Sequence, residues 1–292
     1  MSDATKPRVT IGIPTYNRAS GFLRDALASA INQTYKEIEI IVSDNCSTDD
    51  TEFYVKGIHD PRVRYIKPER NVGPNGNFNF CLDAATGNYF LLLCDDDVID
   101  ADFVESCMDA AQHSVKYGII RTGTRIIDEN GSVLREKYNL VSGPEKEDFY
   151  RSWFSGETVL YLCSTLFNTQ ALRSIGGLKS RHNLFEDGYA VVKLLDSCER
   201  LDIQDVKASF RRSPNQRTYS VPVRQWCEEF TGLFDLIYKQ CTHQQNSLAD
   251  AGQRFFTRLS LNRARSIDST VRRMFAYAVV AQYFSFKYWK RA

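Results

Sequence analysis

The feature that most constrains the fold of this chain is a short apolar run that ends in three consecutive acids. The run covers residues 89–94 (YFLLLC), and Asp95, Asp96 and Asp97 follow it. A continuous apolar run of this length is typical of a strand that is covered on both faces. Three adjacent carboxylates repel one another, and a hard divalent cation such as Mg²⁺ or Mn²⁺ would relieve that repulsion. The pattern therefore predicts a buried strand leading into a metal site, with a solvated acidic turn as the alternative.

The rest of the first hundred residues alternates strand-like and helix-like segments. Apolar, β-branched runs predict strands over residues 8–13, 38–42 and 63–66, and helical patterns begin near residue 20 and cover residues 77–85. This alternation favours a mostly parallel sheet with helices on both faces. In such sheets, ligands bind at the carboxyl ends of the strands. We therefore expect the polar loops that follow three of these strands to meet at one edge.

The second half of the chain is less regular. A strand over residues 117–127 and a second over 132–135 flank the turn sequence DENG, which predicts an antiparallel pair. A further strand is predicted over residues 160–167 and a helix over 188–196. Beyond residue 223 the pattern is helical.

Charge and cysteine usage narrow the class of protein. The 292 residues carry a net charge of +1, so no overall field attracts the chain to nucleic acid, and no nucleic-acid partner is expected. The eight cysteines form no CxxC pair, which favours reduced thiols. The first residues lack the apolar core of a signal peptide, and no stretch reaches the roughly 20 apolar residues of a membrane span. We therefore expect a cytoplasmic protein.

Six segments, in order, resemble the family 2 glycosyltransferases. They are residues 9–18 (VTIGIPTYNR), 41–49 (IVSDNCSTD), 71–73 (NVG), 94–97 (CDDD), 174–178 (SIGGL) and 185–187 (FED). The resemblance implies a GT-A fold, which is a Rossmann-like α/β fold with a mostly parallel sheet. It also implies a nucleotide-sugar donor, Mn²⁺ or Mg²⁺ as a cofactor, and inversion at the anomeric carbon.

The resemblance also suggests how the chain is divided. Residues 1–222 would form the GT-A domain, with residues 1–100 binding the nucleotide sugar and residues 101–222 binding the acceptor. Residues 223–292 would form a C-terminal helical extension that ends in a basic and aromatic tail.

On the donor side, Asp44 matches the family's base-reading aspartate. A carboxylate accepts a hydrogen bond from N3–H of uracil or thymine, which favours UDP or dTDP, although guanine offers N1–H as well. An isolated aspartate at this position could equally cap the next helix. The other residues that the resemblance places beside the nucleotide sugar are Pro14, Thr15, Tyr16, Asn17, Asn45, Asn71, Gly73, Asp95 and Asp96.

Asp97 is the first choice for a direct metal ligand, with Asp95 as the second. Because three acids stand in a row, Asp96 could take either role and the register stays open. A cation at this point would neutralise charge on the departing nucleoside diphosphate. By the same resemblance, Asp187 is the base that removes the proton of the acceptor hydroxyl, with Glu186 as its reserve. Without the family context, these two acids would simply favour the start of a helix.

The C-terminal segment is strongly basic. Residues 251–292 contain nine basic residues and one acid, and residues 271–289 interleave aromatic side chains with cations. This pattern fits an anionic membrane surface, to which the protein would bind peripherally. The alternatives are a helix packed on the domain or an oligomer contact.

Taken together, the sequence predicts a metal-dependent inverting glycosyltransferase. It would move a sugar from a UDP- or dTDP-sugar to a hydroxyl of a glycan or lipid-linked glycan, in bacterial surface polysaccharide synthesis. Three alternatives stay open: a polyprenyl-phosphate sugar transferase, a nucleotidyltransferase and a non-catalytic nucleotide-sugar-binding subunit. The loop over residues 12–16 is poor in glycine, which disfavours the nucleotidyltransferase.

Overall fold

A single mixed sheet forms the centre of the protein. The computed structural model describes residues 6–213, 221–241 and 245–285. The strands of this part are β1 (Val9–Thr15), β2 (Ile38–Asp44), β3 (Val63–Ile66), β4 (Tyr89–Leu92), β5 (Val98–Ile99), β6 (Tyr117–Ile127), β7 (Val133–Lys137), β8 (Thr165–Asn168) and β9 (Glu199–Arg211). Their order is β3-β2-β1-β4-β8-β6-β9-β5, with β7 paired to β6. The α/β class expected from the sequence is confirmed.

The first four strands run parallel to one another. β1 pairs with β2 on one side and with β4 on the other, and β2 pairs with β3. Their carboxyl ends therefore lie at the same edge of the sheet. At that edge the pairing of β1 with β2 places Thr15 opposite Asp44.

The strand β4 is buried on both faces, as its sequence predicts. Phe90 and Leu92 belong to the hydrophobic core on one side of the sheet, whereas Tyr89, Leu91 and Leu93 belong to the core on the other. Alternate side chains of a strand point to opposite faces, so a strand between two apolar layers must be apolar throughout.

Ten α-helices cover the sheet or follow it in the described residues. They are α1 (Leu23–Ile31), α2 (Thr51–Lys56), α3 (Gly73–Ala84), α4 (Phe103–Ala110), α5 (Lys146–Ser155), α6 (Thr169–Ser174), α7 (Glu186–Leu195), α8 (Val223–Gln240), α9 (Gln245–Arg265) and α10 (Thr270–Tyr283). The helix α3 packs very closely on β1, because a Cβ added at Gly12 would lie 2.9 Å from the Cβ of Cys81.

The antiparallel part of the sheet agrees less well with the sequence prediction. The pairing of β6 with β7 is antiparallel, as expected. The strand expected over residues 160–167 begins only at Thr165, because Leu162–Ser164 form a 3-10 turn. The strand β9 was not predicted, although it pairs with β6 and β5. Its alternation of apolar residues loses phase between Ile203 and Val206, where the pairing with β6 changes register.

The C-terminal helices share a hydrophobic core with the sheet domain. Phe230 of α8 and Phe256 of α9 pack in the same buried cluster as Trp153 of α5 and Leu194 of α7. The predicted divisions at residues 100 and 222 stay predictions. No helix among the described residues is both long enough and apolar enough to cross a bilayer.

Candidate active site

Three loops of the parallel half meet at the carboxyl edge of the sheet. Thr15 ends β1 beside Asp44, which ends β2. The Thr15 hydroxyl donates a hydrogen bond of 2.7 Å to Oδ2 of Asp95, in the turn that follows β4. The structure therefore brings together the end of β1, the end of β2 and the aspartate triplet.

Asp44 is fully buried and is held by two donors. Its Oδ1 accepts a hydrogen bond of 2.7 Å from the Ser47 amide, and its Oδ2 accepts one of 2.6 Å from the Tyr65 hydroxyl. Burial and the bond to Asp44 raise the pKa of Tyr65 well above its ordinary value, so Tyr65 remains a donor. A carboxylate has about four acceptor positions, and these two donors occupy half of them. Tyr65 was missed by the sequence analysis.

The loop after β3 is fixed against the end of β2 by a pair of asparagines. The side-chain Nδ2 of Asn45 donates a hydrogen bond of 3.0 Å to Oδ1 of Asn71. The Oδ1 of Asn45 accepts one of 2.9 Å from the backbone N–H of Val72. Gly73 has a φ of +76°, in the left-handed region that favours glycine. The predicted donor-binding residues Asn45, Asn71 and Gly73 therefore belong to two loops that hydrogen bonds hold together.

The loop after β1 is also anchored, except for one aromatic ring. Asn17 has a φ of +55°, and its Oδ1 accepts a hydrogen bond of 2.8 Å from the Thr48 amide. Pro14 lies buried within β1, whereas Tyr16 is 46% exposed. The ring of Tyr16 is thus available to a ligand at this edge.

Within the aspartate triplet, the side chains have different partners. Asp95 accepts from Thr15, and the Tyr16 amide also favours its ionised form. Asp97 is 2% exposed, and its Oδ1 accepts a hydrogen bond of 2.9 Å from the Arg211 amide. Oxygen atoms of Asp96 and Asp97 lie within 4.8 Å of each other and of the sulfur of Cys94. The structure thus places Asp96 beside Asp97, while Asp95 faces β1.

The electrostatics of this turn suit a cation. Burial and the Asp96 charge raise the pKa of Asp95 to about 6. Burial and the same neighbour raise the pKa of Asp97 well above its ordinary value. The pKa of the Cys94 thiol is also raised, by burial and by the three aspartates, so this sulfur is a poor ligand. The two carboxylates are therefore the fitting donors for a hard ion such as Mn²⁺ or Mg²⁺.

Arg211, the last residue of β9, fixes the turn from behind. Besides its amide bond to Asp97, its Nε donates a hydrogen bond of 2.9 Å to the backbone oxygen of Asp96. Its guanidinium lies 4.4 Å from the ring centre of Phe22 and pairs with Asp25 at 3.0 Å. The sequence analysis missed Arg211 because it missed β9.

The two candidate bases begin α7 and have different surroundings. Glu186 is buried, and its Oε1 accepts a hydrogen bond of 3.2 Å from the side-chain Nδ2 of Asn75 in α3. Asp187 is half-buried and accepts one of 2.8 Å from the Gly188 amide. Burial, with a further contribution from Glu186, raises the pKa of Asp187 to about 7. Of the two, Asp187 has the properties of a proton acceptor near neutral pH.

The loop that leads into α7 is held by a carboxylate from α8. Glu229 is fully buried, and it accepts backbone N–H bonds from His182 (2.9 Å), Leu184 (3.3 Å) and Phe185 (3.2 Å). The hydroxyl of Ser180 donates to the same carboxylate. Glu229 therefore fixes the backbone that immediately precedes Glu186 and Asp187.

A signal for Glu229 was present in the sequence. It stands on the apolar face of α8, between Trp226 and Phe230, and both of those are buried. An acid on an apolar helix face must find partners, because a buried unpaired charge is costly. His182, in the loop that Glu229 holds, lies 2.7 Å from the carboxylate of Glu228 through its Nε2.

The arrangement is matched by proteins of known class. The sequence model described as "Glycosyl transferase family 2" matches residues 10–176. A Campylobacter jejuni protein, GalNAc(5)-diNAcBac-PP-undecaprenol beta-1,3-glucosyltransferase, is 34% identical over 52% of this chain and 50% of its own length. The Escherichia coli chondroitin synthase is also 34% identical, over 46% of this chain and 19% of its own. The chain thus spans half or less of these two relatives.

Solved structures agree on the fold. Staphylococcus aureus TarS 1-349, in complex with UDP-GlcNAc, superposes with a TM-score of 0.63 at 15% identity, over 94% of this chain and 89% of that one. The mannosyltransferase PcManGT from Pyrobaculum calidifontis, in complex with GDP-Man and Mn²⁺, gives a TM-score of 0.57 at 17% identity, over 98% and 83%. At this identity the likeness shows the fold alone.

Proposed function

This chain belongs to glycosyl transferase family 2 and is a glycosyltransferase, and we propose that it transfers the sugar of a UDP- or dTDP-sugar to a hydroxyl with inversion. The acceptor would be a glycan or lipid-linked glycan of a bacterial surface polysaccharide. The reaction would need Mn²⁺ or Mg²⁺. Asp44 would read the base, and Asp187 would accept the proton of the attacking hydroxyl.

The observation that supports the proposal is the closeness of two sets of acids: Asp44 with the aspartate triplet, and Glu186 with Asp187. In the first set, Thr15 connects the two acids: its hydroxyl donates to Asp95, and strand pairing places it opposite Asp44. The acceptor side reaches the same edge, because Glu186 bonds to Asn75 in α3 and its charge contributes to the raised pKa of Cys94. A pyrophosphate beside the triplet would thus lie near the start of α7.

Asp96 and Asp97 are the residues that would hold the metal. When bound, the ion neutralises charge on the leaving diphosphate. Asp95 would remain with Thr15 and bond to the ribose or to a metal-bound water. Arg211 holds the triplet through its bonds to the Asp97 carboxylate and the Asp96 backbone oxygen.

Asp187 would take the hydroxyl proton as the new glycosidic bond forms. A base of this kind contributes about 10²–10⁴-fold to the rate, and it works best when its pKa is near the working pH. A pKa of about 7 meets that condition. Glu186, which is buried and bonded to Asn75, would orient the loop of α3 relative to Asp187.

The names of similar proteins support the finer assignments to different degrees. UDP-GlcNAc is bound to one structural neighbour, which supports a uridine donor, whereas GDP-Man and Mn²⁺ are bound to another. The name of the Campylobacter relative supports a lipid-linked acceptor. Uracil, thymine and guanine each offer an N–H to a carboxylate such as Asp44, so a panel of nucleotide sugars tests the base.

A panel of UDP-, dTDP- and GDP-sugars, each with Mn²⁺, with Mg²⁺ and with EDTA, tests the proposal. We expect slow hydrolysis of one uridine or thymidine sugar, released with inverted anomeric configuration and stopped by EDTA. Product configuration is read by NMR. Retention of configuration, or full activity in EDTA, would refute the inverting, metal-dependent mechanism. Addition of a polyprenyl phosphate as acceptor distinguishes the alternative reaction.

We also propose that the protein binds an anionic membrane surface peripherally. The exposed face of α10 carries Val271, Met274 and Phe275, which are 64%, 67% and 70% exposed, next to the exposed Arg272. The remainder of the predicted basic and aromatic tail, residues 286–292, lies outside the described residues. An apolar helix face flanked by cations fits a membrane interface.

Replacement of Met274 and Phe275 by aspartate should abolish sedimentation with vesicles that contain anionic lipid. The matched control replaces Val133 and Leu134 of β7, which are similarly exposed, and should leave sedimentation unchanged. Equal loss in both double variants, or in neither, would argue against α10 as the binding face.

A further inference from the structure

A groove between α5 and α9 lies apart from the candidate active site and is lined by cations. Its volume is about 410 Å³. Arg151 of α5 and Arg254 and Arg258 of α9 line it, together with the rings of Phe154 and Phe255. None of these residues belongs to the loops described above. The groove therefore combines three guanidinium groups with an aromatic floor.

The positive charge of the groove is only partly neutralised. Arg151 pairs with Asp148 at 3.0 Å and Arg254 pairs with Asp250, in each case within one helix. Arg258 is half-buried and lies 5.5 Å from the ring centre of Phe255. Within residues 6–213, 221–241 and 245–285, no carboxylate lies at ion-pair distance from Arg258.

A lysine adds to this unbalanced charge. Lys137 donates a hydrogen bond of 3.1 Å to the backbone oxygen of Gly156, directly after the groove residues at the end of α5. Burial lowers the pKa of Lys137, and the charges of Arg135 and Arg258 lower it further. An anion that binds beside a partly buried lysine surrounded by arginines favours the charged form of that lysine, so anion binding at this point is favourable.

We propose that this groove binds the diphosphate group of an amphiphilic ligand. Guanidinium groups bind phosphate oxygens through paired N–H bonds, and several cations suit a group with more than one charge. Phe154, Phe255 and Ala251 line the groove beside the cations, and a free inorganic anion would not use this apolar lining. The binding itself needs no assumption about transfer, whereas a lipid-linked acceptor as the source of this group rests on the proposed function.

Calorimetric titration with three probes tests the site. Farnesyl diphosphate, inorganic pyrophosphate and farnesol are each titrated into the full chain in EDTA, which removes any metal from the aspartate triplet. We expect farnesyl diphosphate to bind more tightly than pyrophosphate, and farnesol not to bind. Equal affinity for farnesyl diphosphate and pyrophosphate would overturn the amphiphilic ligand, and binding of neither would overturn the site.

Variants locate the binding. Arg254→Gln with Arg258→Gln should weaken the binding of farnesyl diphosphate at least about tenfold, the value of one charge-assisted hydrogen bond. Lys6→Gln with Lys36→Gln removes the same two positive charges from exposed positions outside the groove and should change nothing. If the arginine double variant binds farnesyl diphosphate as tightly as the wild type, the groove is not the site.

A second substitution distinguishes loss of the site from loss of the fold. Ala251→Glu places a carboxylate three residues before Arg254, so it supplies within the chain the charge that the ligand would bring. We expect it to abolish binding while the Tm is kept or raised, whereas Ala251→Gln, of the same size, should bind more tightly than Ala251→Glu.

Asp187→Asn should bind the probe like the wild type, so failure of the groove and failure of the proposed transfer are separable. Undiminished binding by Ala251→Glu would overturn the proposal.

Discussion

The proposed donor edge, at the ends of β1, β2 and β4, and the proposed acceptor loop, residues 180–187, are built in different ways. At the donor edge, Thr15, Asp44 and Asp95 stand at neighbouring strand ends, and the sheet itself brings them together. At the acceptor loop, Asp187 begins a helix whose preceding backbone is held by Glu229, a residue of α8. One region is positioned by strand pairing and the other by a single buried carboxylate.

The similarity to the family model includes one of these two regions and not the other. The family match covers residues 10–176, which include the donor edge and stop before Asp187 and Glu229. On the proposed roles, a donor site made by adjacent strands changes little unless the sheet changes, whereas an acceptor loop held by α8 changes with a few substitutions in that helix. Acceptor choice would then vary while donor binding is kept.

The largest expected effect comes from Asp187→Asn. This change removes the proposed base but keeps the size of the side chain, so transfer should fall about 10²–10⁴-fold. Nucleotide affinity, measured by calorimetry, should change little, because the donor edge is separate. Glu186→Gln is the matched control and should lose less activity. If Glu186→Gln is the more damaging of the two, the roles are reversed.

Glu229→Ala should come next and should act on both stability and transfer. It removes the charged acceptor of three part-buried backbone N–H groups, and hydrogen bonds to charged groups are worth about 1.5–3 kcal/mol each. We expect a lower Tm and a kcat that falls at least tenfold in the remaining folded protein. Glu228→Ala removes the neighbouring, more exposed acid and should be milder. An unchanged kcat would show that Glu229 does not position the base.

The pH dependence should report Asp187. Its pKa of about 7 means that kcat/KM rises as pH increases toward 7 and then levels off, by about tenfold per pH unit on the acidic side. The raised pKa also means that the folded state binds this proton more tightly than the unfolded state. Stability therefore falls as pH rises from about 4 to 7. In metal-free buffer, the Tm of Asp187→Asn relative to the wild type should be higher at pH 8 than at pH 5.

The smallest effect is expected from Tyr65→Phe at the donor edge. It removes one hydrogen bond to Asp44, worth about 0.5–1.5 kcal/mol, while Ser47 continues to hold the other oxygen. The Kd of the nucleoside diphosphate should change less than tenfold, with kcat unaffected. A loss of kcat as large as that of Glu229→Ala would remove the contrast between the two regions.

The sequence predicted those parts of the molecule that depend on neighbours along the chain or on strand ends. Asp44 and the aspartate triplet follow apolar runs, so their common edge follows from the parallel sheet. Arg211 and Glu229 were not predicted, because each acts on a segment far away in the chain. The strand β9 was missed where its apolar alternation changes phase, and Tyr65 was missed because its ordinary strand position gives no sign of its bond to Asp44.

The helix α10 is connected by side-chain hydrogen bonds to the loop that precedes Asp187. The Tyr283 hydroxyl of α10 donates to Glu228 at 3.1 Å, and Glu228 in turn bonds to His182 at 2.7 Å, within the segment that Glu229 clamps. Chimeras that graft the C-terminal helices of one relative onto the sheet of another would need to carry residues 180–185 along with them. Through Glu228, a substitution at Tyr283 would thus act on the loop that precedes Asp187 without touching that residue.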